Sequence, residues 1–165
     1  MSEYQPLCPI LDKHNLDDFD CGVPSLNDWL KRHARHNEER GASRTYVVCD
    51  KQDNIIGYYA LANGAVILSE APKNLRRNMP DPIPVMTLGR LATDLKHRNK
   101  GIGSGMLRDA VFRSLKAGEI GGIRAILVHS IPEAKNFYER KGFLKCPVDD
   151  TMYMLPLKPI NKNAR

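Results

Sequence analysis

Leu26, Trp29, Leu30 and Ala34 recur three and four positions apart in VPSLNDWLKRHARHNEERG, residues 23–41. That spacing puts side chains on one stripe of an α-helix and predicts a core-facing helix here. Ser25 stands where an N-cap is favoured, Asp28 three positions on, and Gly41 where a left-handed C-terminal residue is favoured. TYVVC (45–49) and IIGYYALA (55–62) then read as strands, joined by the polar DKQDN as a hairpin. Four prolines in EAPKNLRRNMPDPIP (70–84) predict an irregular connection. VMTLGRLAT (85–93) predicts a long strand. GSGMLRDAVFRSLKAGEIG (103–121) predicts a helix whose Met106, Leu107, Ala110, Val111 and Leu115 lie near helical spacing. IRAILVHS (123–130) predicts a buried strand, and PEAKNFYERKGF (132–143) a short helix opened by Pro132 and closed by Gly142. TMYMLPL (151–157) is a last strand, and about 158–165 a polar tail. The order predicts an α/β fold around a mixed central sheet flanked by helices, as one domain over residues 1–165.

Length and composition agree with a single globular domain: 165 residues, 42% hydrophobic, 27% charged. The N-terminal residues carry no signal-peptide pattern, and no apolar run approaches membrane-spanning length. Cys8, Cys21, Cys49 and Cys146 are scattered, which predicts reduced thiols in a cytoplasmic protein. His33, His36, His97 and His129 lack ligand spacing, so no metal site is expected. A net charge of +6 favours a polyanionic partner.

The candidate chemistry starts at HRNKGIGSGM, residues 97–106. A glycine-rich turn that opens a helix offers unpaired N–H groups and the positive end of the helix dipole, an anion site. Two familiar versions do not fit. There is no G-x-x-x-x-G-K-[ST] string. The dinucleotide fingerprint needs a third glycine where Met106 stands, and an acid where the next strand ends in His129.

RNKGIG has the form [QR]-x-x-G-x-[GA] between a strand and a helix, and NFYERKGF follows one strand later. Over roughly residues 85–157 this resembles the GNAT N-acetyltransferase family. The resemblance implies a single-domain GNAT fold, with two strands splayed at an acetyl-CoA site. The phosphate-facing positions would be Arg98, Asn99, Lys100, Gly101, Ile102, Gly103 and Ser104, the N–H groups from Lys100 to Ser104 acting as donors. Leu91, Ala92 and Thr93 would pair with the pantetheine arm, and Asn136 would stand near the pantetheine or thioester. Tyr138 would be the general acid for the departing thiolate, against the plainer reading of a buried tyrosine packed on Phe137. VMTLGRLAT carries no carboxylate to serve as base. Lysine, with a pKa of about 10.4, benefits from a base; an α-amine, at about 7.7–8.0, needs one less. The absence leans toward an α-amine substrate.

FDCGVPSLNDWLKRHA, GASRTYVV, LGRLATD, GIRAILVHS and AKNFYERKGF extend the resemblance, over nearly the whole chain, to GNAT toxins of type II toxin–antitoxin pairs. That group implies acetylation of the α-amine of aminoacyl-tRNA, which stops translation, a ribbon-helix-helix antitoxin and a homodimer. Lys31, Arg32, Arg35, Arg76, Arg77 and Arg90 are the candidate tRNA contacts, with Arg40, Arg44 and Lys73 beside them; each reads alternatively as part of a solvated basic face. The alternatives are acetylation of a protein N-terminus or small amine, a non-catalytic CoA- or nucleic-acid-binding regulator, and, more distantly, a Rossmann-type nucleotide binder.

Overall fold

The computed structural model describes residues 3–158. The chain divides into two compact units, Met1–Ala62 with Arg90–Ala110, and Asn63–Gly89 with Val111–Arg165.

The first unit begins with strand β1 (Cys8–Pro9), helices α1 (Pro24–Arg32) and α2 (Ala34–Arg40), and strands β2 (Arg44–Cys49) and β3 (Ile55–Val66). The hairpin expected from residues 45–62 is present: β2 and β3 are antiparallel, with Arg44 opposite Leu61 and Val48 opposite Gly57. β1 adds antiparallel to β2, Cys8 opposite Val47. The expected N-cap is corrected. Pro24 takes the first helical position, where its missing N–H costs nothing, so Val23 is the cap and Ser25 lies inside the helix. The single helix expected up to Gly41 is bent at His33, whose φ is −120°. Tertiary contacts set that bend: Ala34 is fully buried, and Arg35 Nη2 donates to the carbonyls of Leu11 at 3.0 Å and His14 at 2.5 Å. Gly41 ends α2 at φ +71°, as its position predicted.

The core of this unit joins Phe19, Trp29, Leu30, Val47, Tyr58 and Ala92. Trp29 stacks on Tyr58 at 5.9 Å, Phe19 meets Tyr58 edge-on at 5.6 Å, and the Tyr58 hydroxyl donates to the Leu26 carbonyl at 2.6 Å. Strand β4 (Ile83–Thr93) ends and helix α3 (Ile102–Ala117) begins here. The Asp94 N–H donates to the Ile56 carbonyl at 2.8 Å. α3 seats Met106 against Gly57: a Cβ at Gly57 would stand 2.8 Å from Val48 Cγ1 and 3.1 Å from Met106 Sδ. Gly57→Ala is therefore expected to cost about 1–3 kcal/mol through overpacking, read as a lower urea midpoint at unchanged slope.

In the second unit β4 runs parallel to β5 (Ala125–His129), with Val85 opposite Ala125 and Leu88 opposite Val128. β5 pairs antiparallel with β7 (Met152–Pro156), and β7 with β6 (Leu144–Lys145). The seven strands follow the order β1-β2-β3-β4-β5-β7-β6, the mixed sheet expected, with two more strands than the sequence pattern marks. β1 and β6 are two residues long, too short for any alternation to register. The Pro-rich connection holds only two 3₁₀ turns, Leu68–Glu70 and Lys73–Leu75. Arg76 ties it together, Nε donating to the Ala71 carbonyl at 2.9 Å and Nη2 to the Ser69 carbonyl at 2.8 Å. Val66, Leu75, Ile83, Val85, Leu127 and Met154 form this unit's core. The helix expected from Pro132 opens as a 3₁₀ turn, Pro132–Ala134, and continues as α4 (Lys135–Arg140); Gly142 follows at φ +90°. No described helix is long and apolar enough to cross a membrane, and residues 159–165 of the expected tail lie outside the described residues.

Candidate functional site

The loop between β4 and α3 is built by capping and by glycine. Asp94, nearly buried, accepts from the Lys96 N–H through Oδ1 at 2.9 Å and from the Asp20 N–H through Oδ2 at 3.0 Å. This starts the 3₁₀ turn Leu95–His97 and anchors it to the segment before α1. The chain then turns through two left-handed residues, Asn99 at φ +62° and Gly101 at φ +78°. The Gly101 carbonyl accepts the first helical bond, from the Gly105 N–H at 3.0 Å. The amides of Ile102, Gly103 and Ser104 therefore have no intrahelical acceptor, and no acidic residue occupies the first turn. Three aligned N–H groups at the positive end of a helix form an oxyanion seat.

Arg98 and Lys100, the two cations expected to face phosphate, are not bare. Arg98 Nη2 donates to the Cys21 carbonyl at 2.8 Å. Lys100 Nζ stands 2.9 Å from the Glu3 carboxylate and 5.8 Å from the Tyr4 ring, while the Tyr4 hydroxyl pairs with His97 Nδ1 at 2.8 Å. The hydrogen bond from Lys100 holds the Glu3 carboxyl below the usual carboxylate range. The chain thus supplies a carboxylate to a lysine expected to meet phosphate, over a separation of 97 positions that no local pattern reports.

Upstream, the register of β4 with β5 ends at Leu88 opposite Val128, and β4 continues to Thr93. Along that extension Ala92 is buried in the core while Leu91 and Thr93 are half-buried, the alternation a strand imposes.

The second unit carries Asn136 and Tyr138 on α4. Asn136 is exposed. Tyr138 is 6% exposed and meets Phe137 and Phe143 edge-on at 5.2 and 5.3 Å. The sequence left open a packed tyrosine or a reactive one; the ring is packed. Its hydroxyl has no hydrogen bond among the described residues, and burial pushes its pKa up to about 12. The group keeps its proton at neutral pH.

The basic candidates separate by what their donors already hold. Arg35 and Arg76 are bound to backbone carbonyls, as above. Arg32 Nε is 2.8 Å from Asp28 Oδ1, and Arg44 pairs with Glu38. Lys31, Arg40, Lys73 and Arg77 are exposed. Arg90, half-buried on β4, lies over the Trp29 ring with Cζ 4.6 Å from its centroid. The first unit thus gathers Lys31, Arg32, Arg35, Arg90, Leu91 to Thr93 and Arg98 to Ser104; Arg76, Arg77, Asn136 and Tyr138 belong to the second.

A strand, a left-handed glycine turn and a helix whose first amides lack intrahelical acceptors mark an α/β protein with a seat for an oxyanion. Residues 42–145 match the family model described as Acetyltransferase (GNAT) domain, and the chain belongs to that family. It is 43% identical, over 159 residues covering 96% of this chain and 95% of the relative, to a protein of Mycobacterium tuberculosis named tRNA-acetylating toxin. Among solved structures it resembles a mutant of KacT, with TM-score 0.88 and 25% identity over 94% of this chain and 96% of that one. It also resembles AtaT complexed with acetyl-methionyl-tRNAfMet, with TM-score 0.84 and 26% identity over 92% and 94%. A third match is AtaTR bound with acetyl-CoA, with TM-score 0.82 and 25% identity over 95% of each chain.

Proposed function

We propose that this acetyltransferase moves the acetyl group of acetyl-CoA to the α-amine of the amino acid on aminoacyl-tRNA, and that it thereby stops translation. The observation that carries the reading is the helix start: three vacant amides at Ile102, Gly103 and Ser104 suit the coenzyme's diphosphate. The tRNA-acetylating relative and the +6 net charge support the acceptor. The α-amine attacks the thioester carbonyl carbon in its neutral form; the C–N bond forms, the C–S bond breaks, and the amine's surplus proton passes to water. Tyr138 gives its proton to the departing thiolate, and the resulting phenolate regains one from solvent. Burial keeps that phenol protonated at neutral pH, so its proton is in place when charge develops on the sulfur. Leu91 to Thr93 offer main-chain groups to the pantetheine arm, as an added strand would use them, with Asn136 near its thioester end. The backbone N–H of Leu91 or Ala92 polarises the carbonyl. In this reading the protein works in the cytoplasm as a homodimer, and a ribbon-helix-helix antitoxin restrains it.

The test is mass analysis of aminoacyl-tRNA after incubation with enzyme and acetyl-CoA. The expected product is N-acetyl-aminoacyl-adenosine after nuclease digestion. Unmodified aminoacyl-tRNA beside an acetylated ribosomal protein or polyamine would overturn the acceptor.

A further inference from the structure

Arg90 and Trp29 form an arrangement that acetyl transfer itself does not call for. The guanidinium rests on the indole ring, the indole is stacked on buried Tyr58, and the Tyr58 hydroxyl is fixed by the Leu26 carbonyl. The contacts run without a break from the Leu26 carbonyl through Tyr58 and Trp29 to the Arg90 guanidinium. Stacking uses only the face of a guanidinium; its five N–H donors lie in the plane and point outward from the edge. In Arg32, Arg35, Arg44, Arg76 and Arg98 at least one donor is bound to a carboxylate or a carbonyl. The Arg90 guanidinium has no hydrogen bond and no ion pair among the described residues. A half-buried arginine held against an indole loses less entropy on capturing an oxyanion than a free surface arginine does, and its fork fits phosphate bidentately.

We propose that Arg90 is a specificity-determining residue that pairs with a phosphodiester beside the aminoacylated 3′ end of the acceptor RNA, and that Trp29 is the residue that positions it. The proposal rests on the RNA-acceptor reading above. The diphosphate of the coenzyme is already assigned to the amides of Ile102 to Ser104 in that reading. Arg90 lies upstream of that seat, about 10 Å before Thr93 along an extended strand. It shares its face of β4 with Ala92, in the core beneath α1, and alternates with Leu91 and Thr93. Helix α1, which supplies Trp29, presents exposed Lys31 two positions on, so a second cation stands on the element that holds the stack.

The experiment compares three ligands with the full-length wild-type protein, Arg90→Gln, Arg90→Lys, Trp29→Phe and Trp29→Leu. They are intact aminoacyl-tRNA, an aminoacyl-adenosine that lacks any phosphate, and acetyl-CoA alone. Arg90→Gln is expected to raise KM for aminoacyl-tRNA about tenfold and to flatten the dependence of log KM on log salt by about 0.7, the share of one phosphate contact on a single strand. KM for aminoacyl-adenosine, kcat at saturation and the Kd of acetyl-CoA are expected to stay at wild-type values. Arg90→Lys is expected to recover the salt slope but only part of the affinity, because a point charge replaces a fork. Trp29→Phe, which keeps a ring under the cation, is expected to stay near wild type on tRNA, and Trp29→Leu, which also removes core packing against Tyr58, to lower the thermal midpoint and, in the fraction that stays folded, to raise KM for tRNA. Equal losses on tRNA and on aminoacyl-adenosine would overturn the proposal, as would an unchanged salt slope. Weakened acetyl-CoA binding would assign the phosphate to the coenzyme and overturn it likewise. Failure of the wild-type protein to acetylate any aminoacyl-tRNA would sink the acceptor reading and this proposal with it; a fully active Arg90→Gln enzyme would sink the proposal alone.

Discussion

Tyr138→Phe is expected to lower kcat by about 10²- to 10⁴-fold, the range for removal of a positioned general acid, while the Kd of acetyl-CoA stays within a factor of two. The separation of the two effects follows from the packing. The ring touches Phe137 and Phe143 through its edges and faces, and phenylalanine keeps those contacts. The hydroxyl that is lost has no hydrogen bond among the described residues, so its removal leaves no buried partner stranded, and the thermal midpoint is expected to hold or rise. Single-turnover acetyl transfer beside isothermal titration with acetyl-CoA checks both halves; equal single-turnover rates for wild type and variant would remove the acid role. The pH profile carries an independent sign. An acid must be protonated, and a phenol raised to about 12 is protonated at every pH well below that value. The attacking α-amine must be neutral, which it becomes as pH rises through its own pKa, at or below about 7.7–8.0. The wild-type rate is therefore expected to climb to about pH 8 and then to run level to about pH 11. Measurement with an amide-linked aminoacyl-RNA avoids ester hydrolysis; a descending limb centred near pH 9 would contradict the role of Tyr138.

Gly103→Asp is expected to weaken acetyl-CoA binding by at least 100-fold while leaving the thermal midpoint unchanged or higher. Gly103 lies in the first turn of α3, between Ile102 and Ser104, with its amide among the three that lack an intrahelical acceptor. Aspartate has a better helix propensity than glycine, and a carboxylate in the first turn interacts favourably with the helix dipole by about 0.3–1 kcal/mol. The same carboxylate would occupy the seat proposed for the diphosphate and repel it. Stability and coenzyme affinity are thus expected to move in opposite directions, which distinguishes a blocked site from a misfolded one. Differential scanning calorimetry and titration on one preparation give both numbers, and undiminished affinity would remove the diphosphate from this turn.

What the sequence made legible was local. The shared core of Leu26, Trp29, Leu30 and Ala34, the hairpin on either side of DKQDN and the left-handed Gly41 all depend on residues within a few positions of one another, and all appear in the structure, although the one helix predicted to carry the stripe is interrupted at His33. The glycine turn opening a helix was legible for the same reason. Its ligand was not, because vacant amides accept any oxyanion; the spacing of RNKGIG before NFYERKGF supplied that by resemblance. Ser25 was misplaced as a cap because Pro24, one position earlier, fixes where the helix can start. Contacts between distant segments left no trace. Arg98 reaches Cys21 across 77 positions, and Lys100 reaches Glu3 across 97. The unlike states of the arginines, Arg35 and Arg76 bound to carbonyls and Arg90 stacked with its donors vacant, share one letter in the sequence and separate only once their neighbours are known.

The way the two units alternate along the chain bears on synthesis by the ribosome. Met1–Ala62 needs Arg90–Ala110 to complete its unit, and Asn63–Gly89 must emerge between them. At about 5–20 residues per second, vectorial elongation keeps the first unit unfinished until Ala110 has been added, roughly 5–20 s after initiation. Nascent chains halted before Arg98 lack both the glycine turn and the start of α3, so a product truncated there carries no oxyanion seat.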